Sequence, residues 1–223
     1  MTEAIKQGLF YVLDMESSLA ESLAHRIVEM KQYQVFRRWD MNVDPEKELE
    51  NYKDVLKGII ISGSGRNINS AKEAPPDVPA AVFAAGVPIL AICYGLQYLA
   101  HAQGVPVVRC WDEPDLEKRT PKAAKNDKGE QGPVLFHRTD ADSPLFHGLG
   151  RSFPVWMKHN WQVETAPPGW QLTGYTEKCP VAAFETGNIF ALQFHPELGN
   201  SLCGKMILHN FFSLICKVQT PYF

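Results

Sequence analysis

Residues 86–104 read GVPILAICYGLQYLAHAQG, and this stretch decides the fold. Its first part, 87–92, is a short apolar run behind Gly86, with the length and composition of a buried strand. Its second part, 95–103, carries Leu96, Leu99 and Ala100 at helical spacing. Cys93 stands where the strand passes into the helix. A sharp strand-to-helix turn lifts such a side chain out of the sheet end and leaves the following backbone N–H free. This nucleophile elbow needs small residues two before and two after the nucleophile, here Ala91 and Gly95. The helix N-terminus also favours a thiolate over a thiol. A buried core cysteine is the other reading of Cys93, and the local pattern alone does not separate the two.

Working outward, the same strand–helix alternation repeats. GLFYVL (8–13) is an apolar run ended by Asp14, and 17–30 has helical spacing with Leu19, Leu23, Ile27 and Met30 on one face. A second strand is expected at 33–39, a short polar helix at 45–56, a third strand at 58–61 and a short helix at 79–85. Strands alternating with helices at this spacing mean βαβ units and an open, mainly parallel α/β sheet with helices on both faces. The second half reads as strands at 153–157, 161–164 and 170–175, then 181–184 and 189–194 joined across Thr186-Gly187-Asn188, a hairpin signal. An amphipathic helix is expected over 204–216. Between the halves, 111–132 holds 11 charged residues in 22 and reads as an exposed loop.

Composition narrows the function. The chain has 223 residues, 45% of them hydrophobic and 21% charged, which suits a single globular domain, 1–223. A net charge of −3 gives no footprint for nucleic acid. Five scattered cysteines without a CxxC pair point to a reducing, cytoplasmic compartment rather than a disulfide framework. The charge-free run 78–100 is long enough for a membrane span, but Pro79, Gly86, Pro88, Gly95 and Gln97 break it into separate elements. Neither a nucleic acid nor a membrane is expected as a partner. No metal is expected either: the spacing of Cys179, His195, Cys203 and His209 fits no zinc pattern.

Two further elements carry chemistry. Phe194-His195-Pro196-Glu197 follows an apolar strand. A histidine there can act as general base and acid, and a glutamate two residues on can hold the imidazole in one tautomer. With Cys93 this makes a nucleophile–base–orienter set. The turn Ser62-Gly63-Ser64-Gly65 follows the strand at 58–61 and can aim backbone N–H groups at an oxyanion.

Cys93-Tyr94-Gly95-Leu96-Gln97 and Gln193-Phe194-His195-Pro196-Glu197 resemble the two signature motifs of class I, triad-type glutamine amidotransferases. Within that family the likeness is strongest to the glutaminase part of GMP synthetase. VLD (12–14), GIIISG (58–63), VWMKH (155–159), CPVAAFE (179–185) and GKMILHNFFSLIC (204–216) support it, in family order over nearly the whole chain. The resemblance implies a flavodoxin-like sheet, no cofactor, and hydrolysis of glutamine through a thioester on Cys93. His195 would move the protons and Glu197 would orient it. Backbone N–H groups of Ser64 and Tyr94 would form the oxyanion hole. Gln97 and the segment Lys158, His159, Asn160 and Trp161 would hold the substrate, with Trp161 the tryptophan nearest to it; the other four tryptophans are expected mainly in the core or the pocket wall.

Departures from the family pattern are concentrated around the pocket. The usual S-G-G-P is Ser62-Gly63-Ser64-Gly65, and S-H-G-D is Lys158-His159-Asn160-Trp161. D-F-G-S-Q is Asp14-Met15-Glu16-Ser17-Ser18, and the stretch after H-P-E is Leu198-Gly199-Asn200-Ser201. The ATP-using part of a GMP synthetase does not follow, so the resemblance implies a partner, a separate ammonia-accepting synthetase subunit. Two other readings stand beside it: a stand-alone hydrolase of γ-glutamyl compounds, and a non-catalytic regulatory relative.

Overall fold

The computed structural model describes residues 8–71, 73–110, 129–198 and 202–221. Parallel strands come first: β1 (Leu9–Asp14), β2 (Tyr33–Arg38), β3 (Leu56–Ile61) and β4 (Ile89–Ile92). Helices α1 (Ala20–Glu29), α2 (Pro45–Tyr52) and α3 (Ala80–Ala84) connect them, and α4 (Tyr94–Ala102) follows β4. The rest comprises β5 (Val107–Arg109), β6 (Gln131–Arg138), β7 (Ser152–Lys158), β8 (Trp161–Val163), β9 (Gln171–Tyr175), β10 (Ala183–Thr186), β11 (Ile189–Leu192) and α5 (Leu202–Asn210).

Nine strands form one sheet in the order β2-β1-β3-β4-β11-β10-β9-β6-β7. The first five are mutually parallel, the doubly wound order in which ligands bind at the carboxyl ends of the strands. The last four extend the sheet antiparallel. β10 and β11 form the expected hairpin, closing Thr186 onto Ile189 with Gly187 at φ 55°. β5 and β8 form a separate antiparallel ribbon that pairs Arg109 with Trp161.

Alternation along the central strands divides the core into two layers. Phe10, Val12, Leu90 and Ile92 point to the face covered by Leu23 and Ile27 of α1 and Ile207 and Leu208 of α5. Tyr11, Leu13, Ile89 and Ala91 point to the face covered by Leu49 of α2, Val82 of α3 and Leu96 and Leu99 of α4. Helices therefore cover both faces, as the strand spacing implied.

Three expectations need correction. The segment 111–132 was read as exposed; 111–128 lies outside the described residues, but Glu130 is buried and β6 opens at Gln131. The charge count misses this because Glu130 is satisfied by partners far away in sequence. The closing helix gives way after Asn210 to a π-helical stretch over Phe211–Ile215. Trp156 is no core residue: it lies on the outward side of β7, 39% exposed. Among the described residues no helix is long and apolar enough to cross a membrane.

Candidate active site

β4 and β11 are adjacent and parallel, with Ile92 beside Leu192. The residues that follow them, Cys93 and Gln193, leave the sheet side by side at its carboxyl edge. Cys93 donates its backbone N–H to Leu192 O and has φ 53° and ψ −99°. A non-glycine residue in that region carries strain of about 1–3 kcal/mol, held only where the surroundings enforce it. Gly95 is part of that enforcement: a Cβ there would lie 3.0 Å from Ile61 O and 3.2 Å from the Ala91 Cβ, so α4 starts hard against the sheet. Tyr94 stands in the first turn of α4, where its N–H has no partner within the helix.

His195 is 4% exposed and sits three residues beyond β11, its N–H bonded to Trp156 O at 2.9 Å. Its Nδ1 lies 2.8 Å from Glu197 Oε1, so one side of the ring is hydrogen-bonded to Glu197. Burial opposes charge on this imidazole, but Glu197 and Cys93 outweigh it and raise its pKa. Gly63 backs the pair: a Cβ there would lie 3.0 Å from His195 Cε1 and 3.5 Å from the Cys93 Cβ. The turn after β3 thus borders both residues.

Cys93 and His195 open into a cavity of about 240 Å³ with a polar rim of Ser17, Ser18, Arg66, Asn67, Lys158 and Asn160. A buried cysteine and histidine that both border Gly63 and line one polar cavity, with a carboxylate on the imidazole, suit attack on a carbonyl carbon.

The glutamine amidotransferase class-I family matches residues 11–215. The chain belongs to this family. It is 32% identical over 205 residues to the glutamine-hydrolyzing GMP synthase of Thermomicrobium roseum, covering 92% of this chain and 34% of that protein. With the enzyme of the same name from Dehalococcoides mccartyi it shares 32% identity over 221 residues, 99% of this chain and 37% of that one. The chain thus spans about a third of the length of these relatives. A solved chain from Thermoplasma acidophilum, described as one subunit of a GMP synthase, superposes with TM-score 0.70 at 24% identity over 94% of each chain.

The other expected site residues of this amidotransferase are not equivalent. Ser64 lines the cavity, and its hydroxyl accepts from Arg66 N. Gln97 is buried, and its amide nitrogen donates to Trp161 O at 2.7 Å and Gln193 Oε1 at 3.1 Å. Lys158 presents its carbonyl 3.9 Å from the Cys93 sulfur, while its ammonium turns to Ser18 Oγ at 3.0 Å. Asn160 and Trp161 line the cavity, and the Trp161 ring lies under the Arg109 guanidinium. His159 turns inward instead, toward Glu130. Leu198 closes the described part of the segment after Glu197; 199–201 lie outside it.

Two sets of residues escaped the sequence reading. Gln193, wholly buried, donates to the Cys93 sulfur at 3.4 Å. Its place in the Gln193-to-Glu197 motif was a signal that it matters, though not how. Glu130, His159 and Cys179 bring a carboxylate, an imidazole and a thiol within 4.8 Å of one another, a donor set that could hold a metal such as zinc. No spacing rule finds them, because they come from three loops.

Proposed function

We propose that this domain hydrolyses the side-chain amide of glutamine and supplies the ammonia to a separate synthetase subunit. The observation that carries the reading is Cys93 together with the His195–Glu197 pair at the mouth of a polar cavity. The Cys93 thiolate adds to the side-chain carbonyl carbon of glutamine. The oxygen takes up the negative charge and is met by the backbone N–H groups of Tyr94 and Ser64. The carbon–nitrogen bond breaks as His195 gives its proton to the departing nitrogen, releasing ammonia and leaving a thioester. His195 then takes a proton from water, the hydroxide adds to the thioester, and glutamate leaves as the sulfur recovers its charge. Glu197 keeps the imidazole aimed at the sulfur throughout.

In this reading Gln97 accepts from the substrate, and the main chain of Lys158, His159, Asn160 and Trp161 holds its α-amino and α-carboxylate ends. Relatives named as glutamine-hydrolyzing GMP synthases support the substrate, and the Thermoplasma acidophilum chain, described as one subunit of such a synthase, supports a division of labour between chains. Ammonia release from glutamine, abolished in Cys93→Ala, tests the proposal. Failure of the wild type to release ammonia, or to carry a glutamyl thioester at Cys93 after rapid quench, overturns it.

One observation favours a second reading. The Lys158 ammonium faces the cavity rim, and among the described residues no carboxylate lies within ion-pair distance of it. A larger γ-glutamyl compound with a second carboxylate would meet it there, and the same thioester chemistry would cleave its γ-glutamyl amide.

A further inference from the structure

Behind the cavity lies a second buried set of titratable groups, which the proposed reaction does not use. Glu130 and His159 are 7% and 4% exposed. The Glu130 carboxylate accepts from Thr176 Oγ1 at 2.7 and 2.8 Å, and its Oε2 lies 3.4 Å from His159 Nε2. The opposite ring nitrogen of His159, Nδ1, lies 3.1 Å from Trp161 O. The Cys110 sulfur lies 3.4 Å from the same nitrogen, and the ring, set between a carboxylate and a carbonyl, ties Glu130 to the main chain of Trp161.

The same short stretch is gripped again through its backbone. His159 N donates to Glu130 O at 3.1 Å, and Gln131 Nε2 donates to His159 O at 3.2 Å. Gly129 is pressed so closely on it that a Cβ would fall 2.0 Å from His159 O. The far side of this stretch is the substrate side. There Lys158 O faces Cys93, and Trp161 O takes the hydrogen bond from Gln97. The triad has other supports: β4 and α4 carry Cys93, and β11 leads to His195 and Glu197.

We propose that Glu130, acting through His159, is a positioning residue that sets the depth of the 158–161 main chain in the cavity and so governs how tightly the γ-glutamyl substrate is held. The inference rests on the glutamine-hydrolysis reading. Removing the charge from Glu130 then weakens substrate binding and leaves the reactivity of the thiolate as it was.

Two inactivation rates separate these properties in the intact protein. Iodoacetamide is small and needs only the Cys93 thiolate; an electrophilic glutamine analogue needs the thiolate and the pocket. In Glu130→Gln the rate with the analogue falls roughly tenfold, as for loss of a charged partner from a buried hydrogen bond, while the rate with iodoacetamide holds. KM for glutamine rises with little change in kcat. Thr176→Val, a gentler change, moves the ratio of the two rates the same way, and Thr176→Ser, which keeps the hydroxyl, restores it. An unchanged ratio in both Glu130→Gln and Thr176→Val overturns the inference, as does a parallel fall of both rates, the mark of a merely structural role. A wild type that reacts with iodoacetamide and not with the analogue overturns the glutamine reading itself, and this inference with it.

Discussion

The side-chain amide of Gln193 donates to the sulfur of Cys93 across 3.4 Å, from a position with no solvent exposure. The contact follows from strand register, since Leu192 lies beside Ile92 and the next residue of each strand must be neighbours. Gln193 also accepts from Gln97, which in turn donates to Trp161 O. One line of hydrogen bonds therefore runs from Cys93 to the wall of the cavity.

Gln193→Leu removes the donor while keeping the bulk. A hydrogen bond to a charged group is worth about 1.5–3 kcal/mol, so turnover falls by roughly ten- to a hundredfold. Gln193→Glu places a carboxylate against the thiolate and costs more. Steady-state ammonia release checks both, and unchanged turnover in Gln193→Leu would remove Gln193 from the working site.

Among the five cysteines, Cys93 is the one a glutamine-like electrophile modifies. Burial pushes the Cys110 thiol up to about 12 and raises Cys179 and Cys216 further, which keeps them protonated and unreactive near neutral pH. Mass mapping of the labelled peptides reads the site directly. An adduct on any other cysteine contradicts the assignment.

Much of this was legible in the sequence, for physical reasons. The elbow showed in Ala91, Cys93 and Gly95 because close packing of α4 on the sheet admits only small residues there. Cys93 and His195 were legible only as two separate motifs; the parallel register of β4 and β11 brings the ends of their strands together, and both residues border Gly63. Glu130 was misread because burial of a charged residue depends on partners, here Thr176 and His159, that no local pattern reveals. Trp156 was misread because an antiparallel strand at the sheet's edge turns alternate residues outward, whatever their polarity.

His195→Ala should lower turnover by about 10²–10⁴-fold, since one group serves both proton transfers. Glu197→Gln should cost less, because it orients and transfers nothing. Stability gives a separate check. Burial lowers the affinity of the ring for a proton, but Glu197 and Cys93 raise it to about 10 from the ordinary 6.5. A folded-state pKa that is raised contributes stability in full below 6.5, and the contribution is lost as pH rises toward 10. The denaturant midpoint of the wild type should therefore lose ground to that of His195→Gln across this interval. A constant difference would mean that the imidazolium is not held in the folded state.

Gly63→Ala tests the turn that borders the pair. The added Cβ would stand 3.0 Å from His195 Cε1, tight enough to displace the ring by a few tenths of an ångström, yet Gly63 has no positive φ that would strain the substitution. Turnover should fall while the melting temperature changes little. A protein that keeps its turnover would show that the ring has room to spare.

Lys158 and Trp161 are the positions at which the two substrate readings differ. Among the described residues the Lys158 ammonium reaches only a hydroxyl, Ser18 Oγ at 3.0 Å, and Trp161 lies on the cavity wall beneath Arg109. If free glutamine is the substrate, the main chain of 158–161 holds it, and Lys158→Ser and Trp161→Ala change KM modestly. If a larger γ-glutamyl compound is the substrate, Lys158 pairs with its second carboxylate and Trp161 stacks on the added group. An exposed ion pair or a stacked ring is worth about 1 kcal/mol, so each contact supplies selectivity of only about five- to tenfold. Release of ammonia from glutamine is therefore compared with release of amine from a γ-glutamyl amide that carries a carboxylate, in wild type and in Lys158→Ser. We expect glutamine to be preferred and the preference to survive the substitution. A preference for the larger amide that disappears in Lys158→Ser would instead make Lys158 the specificity residue of a γ-glutamyl hydrolase.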